Sequence, residues 1–128
     1  MSKPSVIRLN PDGPAGAGLE FWGHLENEKV VEGEPTETGH NFFTNRTGQL
    51  TAGVWECTPC TSEIDSYPVD EFCIILSGRV VVTDGEGRAE TFKPGDSFVI
   101  PKGTACTWHM PETTRKYYVI FDPKAAES

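Results

Sequence analysis

The sequence predicts an all-β fold that forms one small barrel or sandwich. Short segments rich in β-branched and aromatic residues recur between residues 50 and 122, and Gly, Pro and Asp separate them. No stretch keeps the helical period of 3.6 residues for long. With 128 residues the chain is long enough for one core and too short for two, so we expect a single domain.

The strand candidates follow one another as a meander in the second half of the chain. They are Leu50–Cys57, Phe72–Leu76, Arg79–Thr83, Ala89–Phe92, Ser97–Ile100, Ala105–Met110 and Lys116–Asp122. Ser77-Gly78 predicts a tight hairpin, and Gly85 and Gly87 allow a second reversal because glycine tolerates positive φ. Pro94-Gly95 predicts a third turn. Strands at this spacing are typical of a barrel or a sandwich.

The first part of the chain has a different composition. Residues 1–18 are rich in Pro and Gly, which predicts an extended N-terminal arm that is either flexible or exchanged with a partner strand. Residues 19–128 then form the domain, with its barrel core at about 48–122. Leu19–Phe43 shows no clear period, and we expect it to hold one or two edge strands, such as Lys29–Glu32, over the mouth of the barrel.

The charge balance excludes two classes of partner. A net charge of -8 and a pI near 4.8 argue against nucleic acid and anionic membrane, because both attract a positive protein surface. The N-terminal residues contain no apolar run of the kind found in secretory signals and membrane spans. We therefore expect a cytoplasmic protein.

The four cysteines are expected to be thiols, since the chain shows no export signal and can bury an ordinary core. Cys57 and Cys60 have the C-x-x-C spacing of zinc knuckles and redox pairs. A zinc knuckle requires a second ligand pair, and a redox pair requires a helix N-terminus; neither is predicted here. We interpret them as two cysteines at the ends of a loop.

Several motifs in fixed order resemble the cupins. They are Gly53-Val54-Trp55-Glu56, Asp70-Glu71-Phe72 with Leu76 to Val80, Pro94-Gly95-Asp96 with Phe98 to Gly103, and Trp108 with Arg115-Lys116 and Tyr118. The closest resemblance is to the short single-domain group related to ureidoglycine aminohydrolases and ethanolamine-utilisation cupins. It covers residues 48–122 and implies a single-domain double-stranded β-helix, or jelly-roll barrel. It also implies a homodimer, in which small cupins exchange N-terminal strands.

The resemblance also implies a metal position. The cupin pattern places two histidines before a glutamate, and here Glu71 and Gly78 keep the spacing of its second half. The histidine positions fall within Ile64–Tyr67, which contains no histidine, and the position of a third histidine is Cys106. We therefore expect no metal cofactor; zinc or another divalent ion bound weakly by Cys106 and Glu71 stays an alternative.

Strand alternation predicts the residues that face the interior. If Glu71 points inward, then Cys73 and Ile75 do too, and Cys106, Trp108 and Met110 share one face. The predicted ligand pocket around Glu71 consists of Trp55, Cys73, Cys106, Trp108 and Tyr118. Such half-apolar surroundings predict a raised pKa for the Glu71 carboxyl, which would suit a general acid or base. A hydrogen bond from Tyr67 or a strand neighbour to Glu71 is the alternative.

Two further expectations concern charged side chains. His40 lies in the segment GHNFF, which we expect to fold over the barrel mouth and to bring the imidazole beside a substrate. Only one of Arg115 and Lys116 can point inward from a strand, and we expect both to be solvated.

These observations leave two functions open. The first is a small enzyme, of the lyase, isomerase or C–N hydrolase type, that uses Glu71 with Tyr67 or His40 for proton transfer on a small polar metabolite. The second is a non-catalytic ligand-binding or accessory cupin dimer. The sequence does not decide whether the protein is an enzyme.

Overall fold

The computed structural model of the protein describes residues 3–24 and 29–123. Residues 1 and 2 of the predicted arm, and residues 124–128 of the predicted domain, lie outside them. The described residues form eleven strands: β1 (Glu20–His24), β2 (Lys29–Glu32), β3 (Thr36–Thr44), β4 (Leu50–Cys57), β5 (Cys60–Ile64), β6 (Asp70–Ser77), β7 (Val80–Asp84), β8 (Ala89–Phe92), β9 (Ser97–Ile100), β10 (Cys106–Met110) and β11 (Thr114–Phe121). One 3-10 turn, Pro14–Gly16, precedes them.

The strands form two antiparallel sheets that pack face to face. The first sheet has the order β1-β3-β4-β11-β6-β9, and the second has the order β2-β5-β10-β7-β8. The chain passes repeatedly from one sheet to the other, as in a jelly roll. The predicted all-β jelly-roll fold is confirmed. No helix long and apolar enough to span a membrane occurs in the described part of the chain.

Most of the predicted strands agree closely with those observed, but β5 was not predicted. β2, β4, β8 and β9 have the predicted bounds, and β6, β7, β10 and β11 differ by one or two residues at one or both ends. The segment Leu19–Phe43 holds more than the expected edge strands, because β3 lies inside its sheet between β1 and β4. Bulges in β1 and β3 interrupt the two-residue alternation by which a strand is recognised in a sequence.

The core lies between the sheets and is built by alternation. Glu71, Cys73 and Ile75 of β6 are buried, and the residues between them are more exposed. Cys106, Trp108 and Met110 of β10 follow the same rule, so the predicted inward faces of both strands are confirmed. All four cysteines are buried thiols, with Cys57 at the end of β4 and Cys60 at the start of β5.

One glycine is required at the tight turn between β6 and β7. Gly78 has φ of 76°, in the left-handed region, and a Cβ there would lie 2.7 Å from Oγ1 of Thr114. That hydroxyl donates a hydrogen bond to the carbonyl oxygen of Arg79 at 2.9 Å, so it ties the turn to β11. The structure has a turn at Ser77-Gly78, but the predicted hairpin and meander were wrong there, because β6 and β7 lie in different sheets.

The N-terminal arm follows the outer face of the first sheet. The hydroxyl of Tyr117 donates a hydrogen bond to the carbonyl oxygen of Leu9 at 2.8 Å. Arg115 donates one to the carbonyl oxygen of Pro11 at 2.7 Å and forms an ion pair with Asp12 at 2.8 Å. These contacts hold residues 9–12 against β11. Val6, which lies nearer the N-terminus, is 98% exposed. Exchange of the arm with a partner stays a prediction.

Candidate functional site

A cavity of about 420 Å³ lies between the two sheets. Strands of both sheets contribute to its wall, so its shape depends on the whole barrel. The wall combines aromatic and charged side chains, chiefly Trp22, Trp55, Trp108, Glu37, Glu71 and Lys116. Cavities that combine an apolar lining with a few converging polar groups are typical of small-molecule sites.

A buried ion pair occupies the inner wall. Nζ of Lys116 lies 2.7 Å from Oε2 of Glu71, and their side chains are only 6% and 7% exposed. Lys116, Tyr118 and Ile120 share the inward face of β11, which pairs with β6. The expectation that Lys116 is solvated was wrong. Alternation turns Lys116 inward, and the charge of Glu71 makes its burial possible.

Two further donors complete the environment of Glu71. The hydroxyl of Tyr67 donates to Oε1 at 2.7 Å, and the thiol of Cys73 donates to Oε2 at 3.3 Å. Both carboxylate oxygens are therefore hydrogen-bonded. A hydrogen bond from Tyr67 to Glu71 was one of the alternatives left open by the sequence, and the structure contains it.

The Glu71 carboxyl titrates in the direction opposite to the expectation. Burial is the largest single influence and raises its pKa, but the charge and hydrogen bond of Lys116 and the hydrogen bonds of Tyr67 and Cys73 together outweigh it. The pKa of Glu71 therefore lies below its ordinary value of 4.5, and the predicted raised pKa was wrong. Burial, reinforced by the negative charge of Glu71, raises the pKa of the Cys73 thiol to about 12, so it stays protonated.

Two indole rings surround the ammonium group of Lys116. Its Nζ lies 4.6 Å from the ring centroid of Trp55 and 4.4 Å from that of Trp108. The two rings meet edge to face, with centroids 6.4 Å apart. The faces of indole rings attract cations, so they replace part of the hydration that Lys116 loses on burial.

Strand β3 supplies two polar residues that sequence reasoning missed. Oε1 of Glu37 accepts a hydrogen bond from Nε1 of Trp55 at 2.6 Å, which fixes the orientation of that indole. Oδ1 of Asn41 accepts one from the hydroxyl of Tyr118 at 3.0 Å. Burial, together with the charge of Glu71, raises the pKa of Tyr118 to about 12, so the phenol remains a donor.

Gly53 of β4 makes room for Tyr118. A Cβ at Gly53 would lie 2.5 Å from the Tyr118 hydroxyl oxygen, closer than van der Waals contact allows. The first motif of the cupin resemblance therefore has a local function here, since its glycine lets a tyrosine reach β3.

The structure brings together most of the predicted site residues. Glu71, Tyr67, Trp55, Trp108 and Tyr118 all line the cavity. Cys73 is in contact with Glu71 without lining the cavity.

Cys106 and His40 are placed elsewhere. Cys106 lies at a second hollow, beside Phe98 and Ile100. His40 is not part of the cavity wall; its Nδ1 lies 3.0 Å from Oε1 of Glu20, and its ring packs edge to face on Phe42. The structure does not bring either residue to Glu71.

The residues present do not fit the metal site that the cupin resemblance implies. The described residues contain no group of three or more His, Cys, Asp or Glu side chains arranged to hold an ion. Glu71, the carboxylate at the expected position, is hydrogen-bonded to Tyr67, Cys73 and Lys116. The ammonium group of Lys116 already supplies a positive charge at the carboxylate, where a metal ion would meet electrostatic repulsion.

Comparisons with known proteins agree with this fold. The family model described as "EutQ-like cupin domain" matches residues 44–118. A protein of unknown function of the DUF861 family from Pseudomonas syringae is 23% identical, with a TM-score of 0.79 over 88% of this chain and 46% of the other. This chain thus spans about half the length of that relative.

Two other solved structures are similar. The EutQ protein of Clostridium difficile is 21% identical, with a TM-score of 0.63 over 82% of this chain and 78% of the other. A DUF861 protein from Thermotoga maritima is 35% identical over 53% of this chain and 76% of the other, with a TM-score of 0.50. No curated protein matches in sequence.

The ion pair predicts a strong coupling between Glu71 and Lys116. Glu71→Gln or Lys116→Met alone leaves one buried charge without its partner, so each should lower the free energy of unfolding by about 3–5 kcal/mol. The double variant should lose much less than the sum of the two. Urea denaturation of the four proteins would measure this coupling. Additive losses would show that the two groups do not interact.

The lowered pKa of Glu71 predicts acid destabilisation. A carboxyl with a lower pKa in the folded state stabilises that state above the unfolded-state pKa, near 4.5, and the effect is lost as the pH falls through the folded-state pKa. The unfolding free energy of the wild type should therefore fall below pH 4.5 more steeply than that of the Glu71→Gln/Lys116→Met variant.

Asp84 provides the control for this pH experiment. Its pKa is also lowered, chiefly by the backbone N–H of Arg88, although it lies at the surface. An Asp84→Asn variant shows how much of the slope comes from the surface. Equal slopes for the wild type and the Glu71→Gln/Lys116→Met variant would contradict the assignment to Glu71.

Proposed function

This chain belongs to the EutQ-like cupin family, and from its cavity we propose that it binds a small polar metabolite and transfers protons to and from it with Glu71 and Lys116. In this proposal an ammonium group takes the position that a metal ion has in many cupins. The reaction class is elimination, isomerisation or C–N hydrolysis, all of which depend on paired acid and base groups.

The buried ion pair in the cavity wall is the observation that carries this proposal. Burial of two charges carries a desolvation cost that offsets much of their attraction, and well-packed apolar residues often stabilise a core as well or better. Stability alone therefore does not account for Glu71 and Lys116. Charged pairs with shifted pKa values that line a cleft are typical of functional sites.

The short contact between the two groups suits a cycle of proton transfer. In an elimination, Glu71 would accept the proton from carbon while Lys116 donates a proton to the leaving group. The pair is then neutral, with the carboxyl of Glu71 protonated and the amine of Lys116 uncharged. A proton passing from Glu71 to Lys116 across the 2.7 Å contact restores the initial state. Atoms and charges balance over the cycle without another reactant.

A second candidate is a ligand-binding or accessory cupin without catalysis. The hydrogen bonds to both oxygens of Glu71 favour it, because they lower the pKa of the carboxyl and make it a weaker base. In that case the ion pair would orient a ligand without exchanging protons with it.

A metabolite screen by thermal shift, followed by NMR of each stabilising compound, tests the proposal. At least one small polar compound should raise the melting temperature of the wild type and be converted by it. Glu71→Gln should lower kcat by a factor of about 100 or more, whereas a binding protein should show altered affinity alone.

The matched control for Glu71→Gln is Glu63→Gln, at a half-exposed carboxylate outside the cavity. It should leave kcat and the affinity for the compound unchanged. A screen in which no compound raised the melting temperature would contradict both candidates.

We also propose that the protein is a homodimer, held together by the outer face of its first sheet. Five apolar residues lie opposite one another in register across five neighbouring strands: Phe43, Ala52, Val119, Phe72 and Val99. Phe43, Phe72 and Val99 are 37%, 38% and 59% exposed. Such a row can pack on the same row of a second copy about a two-fold axis. We therefore expect a second copy of the chain to cover this apolar row.

Sedimentation tests the dimer. The wild type should sediment at micromolar concentration with about twice the 14.1 kDa mass of the chain. Val99→Lys should shift it to the monomer because it places a charge in the apolar row, and Thr91→Lys, at an exposed position on β8 of the other sheet, should not. A 14 kDa wild-type species would refute the dimer.

A further inference from the structure

Glu37 differs from the other charged groups of the cavity because no cationic side chain among the described residues pairs with it. Its carboxylate is half-buried and lines the cavity. It accepts one hydrogen bond, from Trp55 at 2.6 Å, and forms no ion pair with any described Lys, Arg or His. Glu71 and Lys116 neutralise each other, so Glu37 leaves the cavity wall with one net negative charge.

One indole ring contacts this carboxylate, and a second lies on the same face of β3. The ring of Trp55 is fixed by its hydrogen bond to Glu37. The ring of Trp22 lies over Gly39, two residues along the same face of β3, where a Cβ would stand 2.6 Å from Cη2 of Trp22. Trp22 is 41% exposed, so it stands where the cavity meets solvent. A carboxylate near a partly exposed indole ring provides a recognition site for an organic cation.

Trp108 adds a second requirement for the ligand. Its indole is 4% exposed and lines the cavity, yet its Nε1–H has no hydrogen-bond partner in the described part of the chain. A buried donor without a partner carries a free-energy penalty that a ligand oxygen would remove. The ring of Trp55, which is bonded to Glu37, has its centroid 6.4 Å from that of Trp108, a separation within the length of a small ligand.

We propose that the ligand of this cavity is a small organic ammonium ion that also carries a hydroxyl or carbonyl oxygen. Its ammonium group lies against Glu37 and the ring of Trp22, and its oxygen accepts the hydrogen bond of Trp108. This inference rests on the proposed function, since it names the class of metabolite that the cavity binds. The net charge of -8 on the chain also favours a cation over an anion.

Pairs of ligands that differ only in charge test the inference. Choline and 3,3-dimethylbutan-1-ol have nearly the same shape, as do 3-aminopropan-1-ol and butan-1-ol, and only the first of each pair is a cation. Titration followed by tryptophan fluorescence should show that at least one cation binds about tenfold or more tightly than its neutral counterpart. Glu37→Gln should remove this preference, because the amide can still accept the Trp55 hydrogen bond but carries no charge.

Two further variants separate the parts of the site. Trp22→Leu keeps apolar bulk without an indole face, so it should weaken binding of the cation more than that of the neutral compound. Trp108→Phe removes the donor, so it should weaken choline more than tetramethylammonium, which has no oxygen. Glu63→Gln, outside the cavity, should change none of these affinities.

Three outcomes would overturn the inference. They are equal affinity for both members of each pair in the wild type, an unchanged preference in Glu37→Gln, and a screen in which only neutral or anionic compounds bind. The third outcome, together with a dependence on Lys116, would leave the proposed function intact. If no compound of any charge binds, the proposed function fails as well.

Discussion

The ion pair between Glu71 and Lys116 is the interaction on which the rest of the interior depends. A carboxylate and an ammonium buried among apolar residues require every available partner. Tyr67 and Cys73 donate to the carboxylate, and the indoles of Trp55 and Trp108 face the ammonium. The need to stabilise this buried ion pair therefore explains why aromatic side chains surround it.

An ammonium group and a metal ion give a cupin barrel different capacities. A metal ion polarises a ligand and leaves coordination positions open, whereas an ammonium group can donate a proton and is fixed to the chain. The distinction comes from the donor set of this chain, in which the positions of histidine ligands are occupied by Cys106 and by residues of the segment Ile64–Tyr67. Proteins that share this fold can therefore have different reactive groups at the corresponding position inside the barrel.

Features that depend on the local residue pattern were predicted correctly from the sequence. Features that depend on contacts between residues far apart in the chain were not. Alternation along β6 and β10 gave the inward faces correctly, because those strands have no bulge within the buried stretch. The pKa of Glu71 was predicted in the wrong direction because its sign depends on Lys116, 45 residues away in sequence. Glu37 and Asn41 were missed because they lie on a bulged, polar strand whose pattern does not resemble a buried one.

The bulge in β3 has a consequence for the way this barrel can diversify. One extra residue between Asn41 and Phe43 reverses the face that the strand presents, so Glu37 and Asn41 border the cavity while Phe43 lies on the outside. A single strand thus serves two surfaces at once. Mutations before the bulge therefore alter the cavity wall, and mutations after it alter the outer face of the sheet, with little interference between the two.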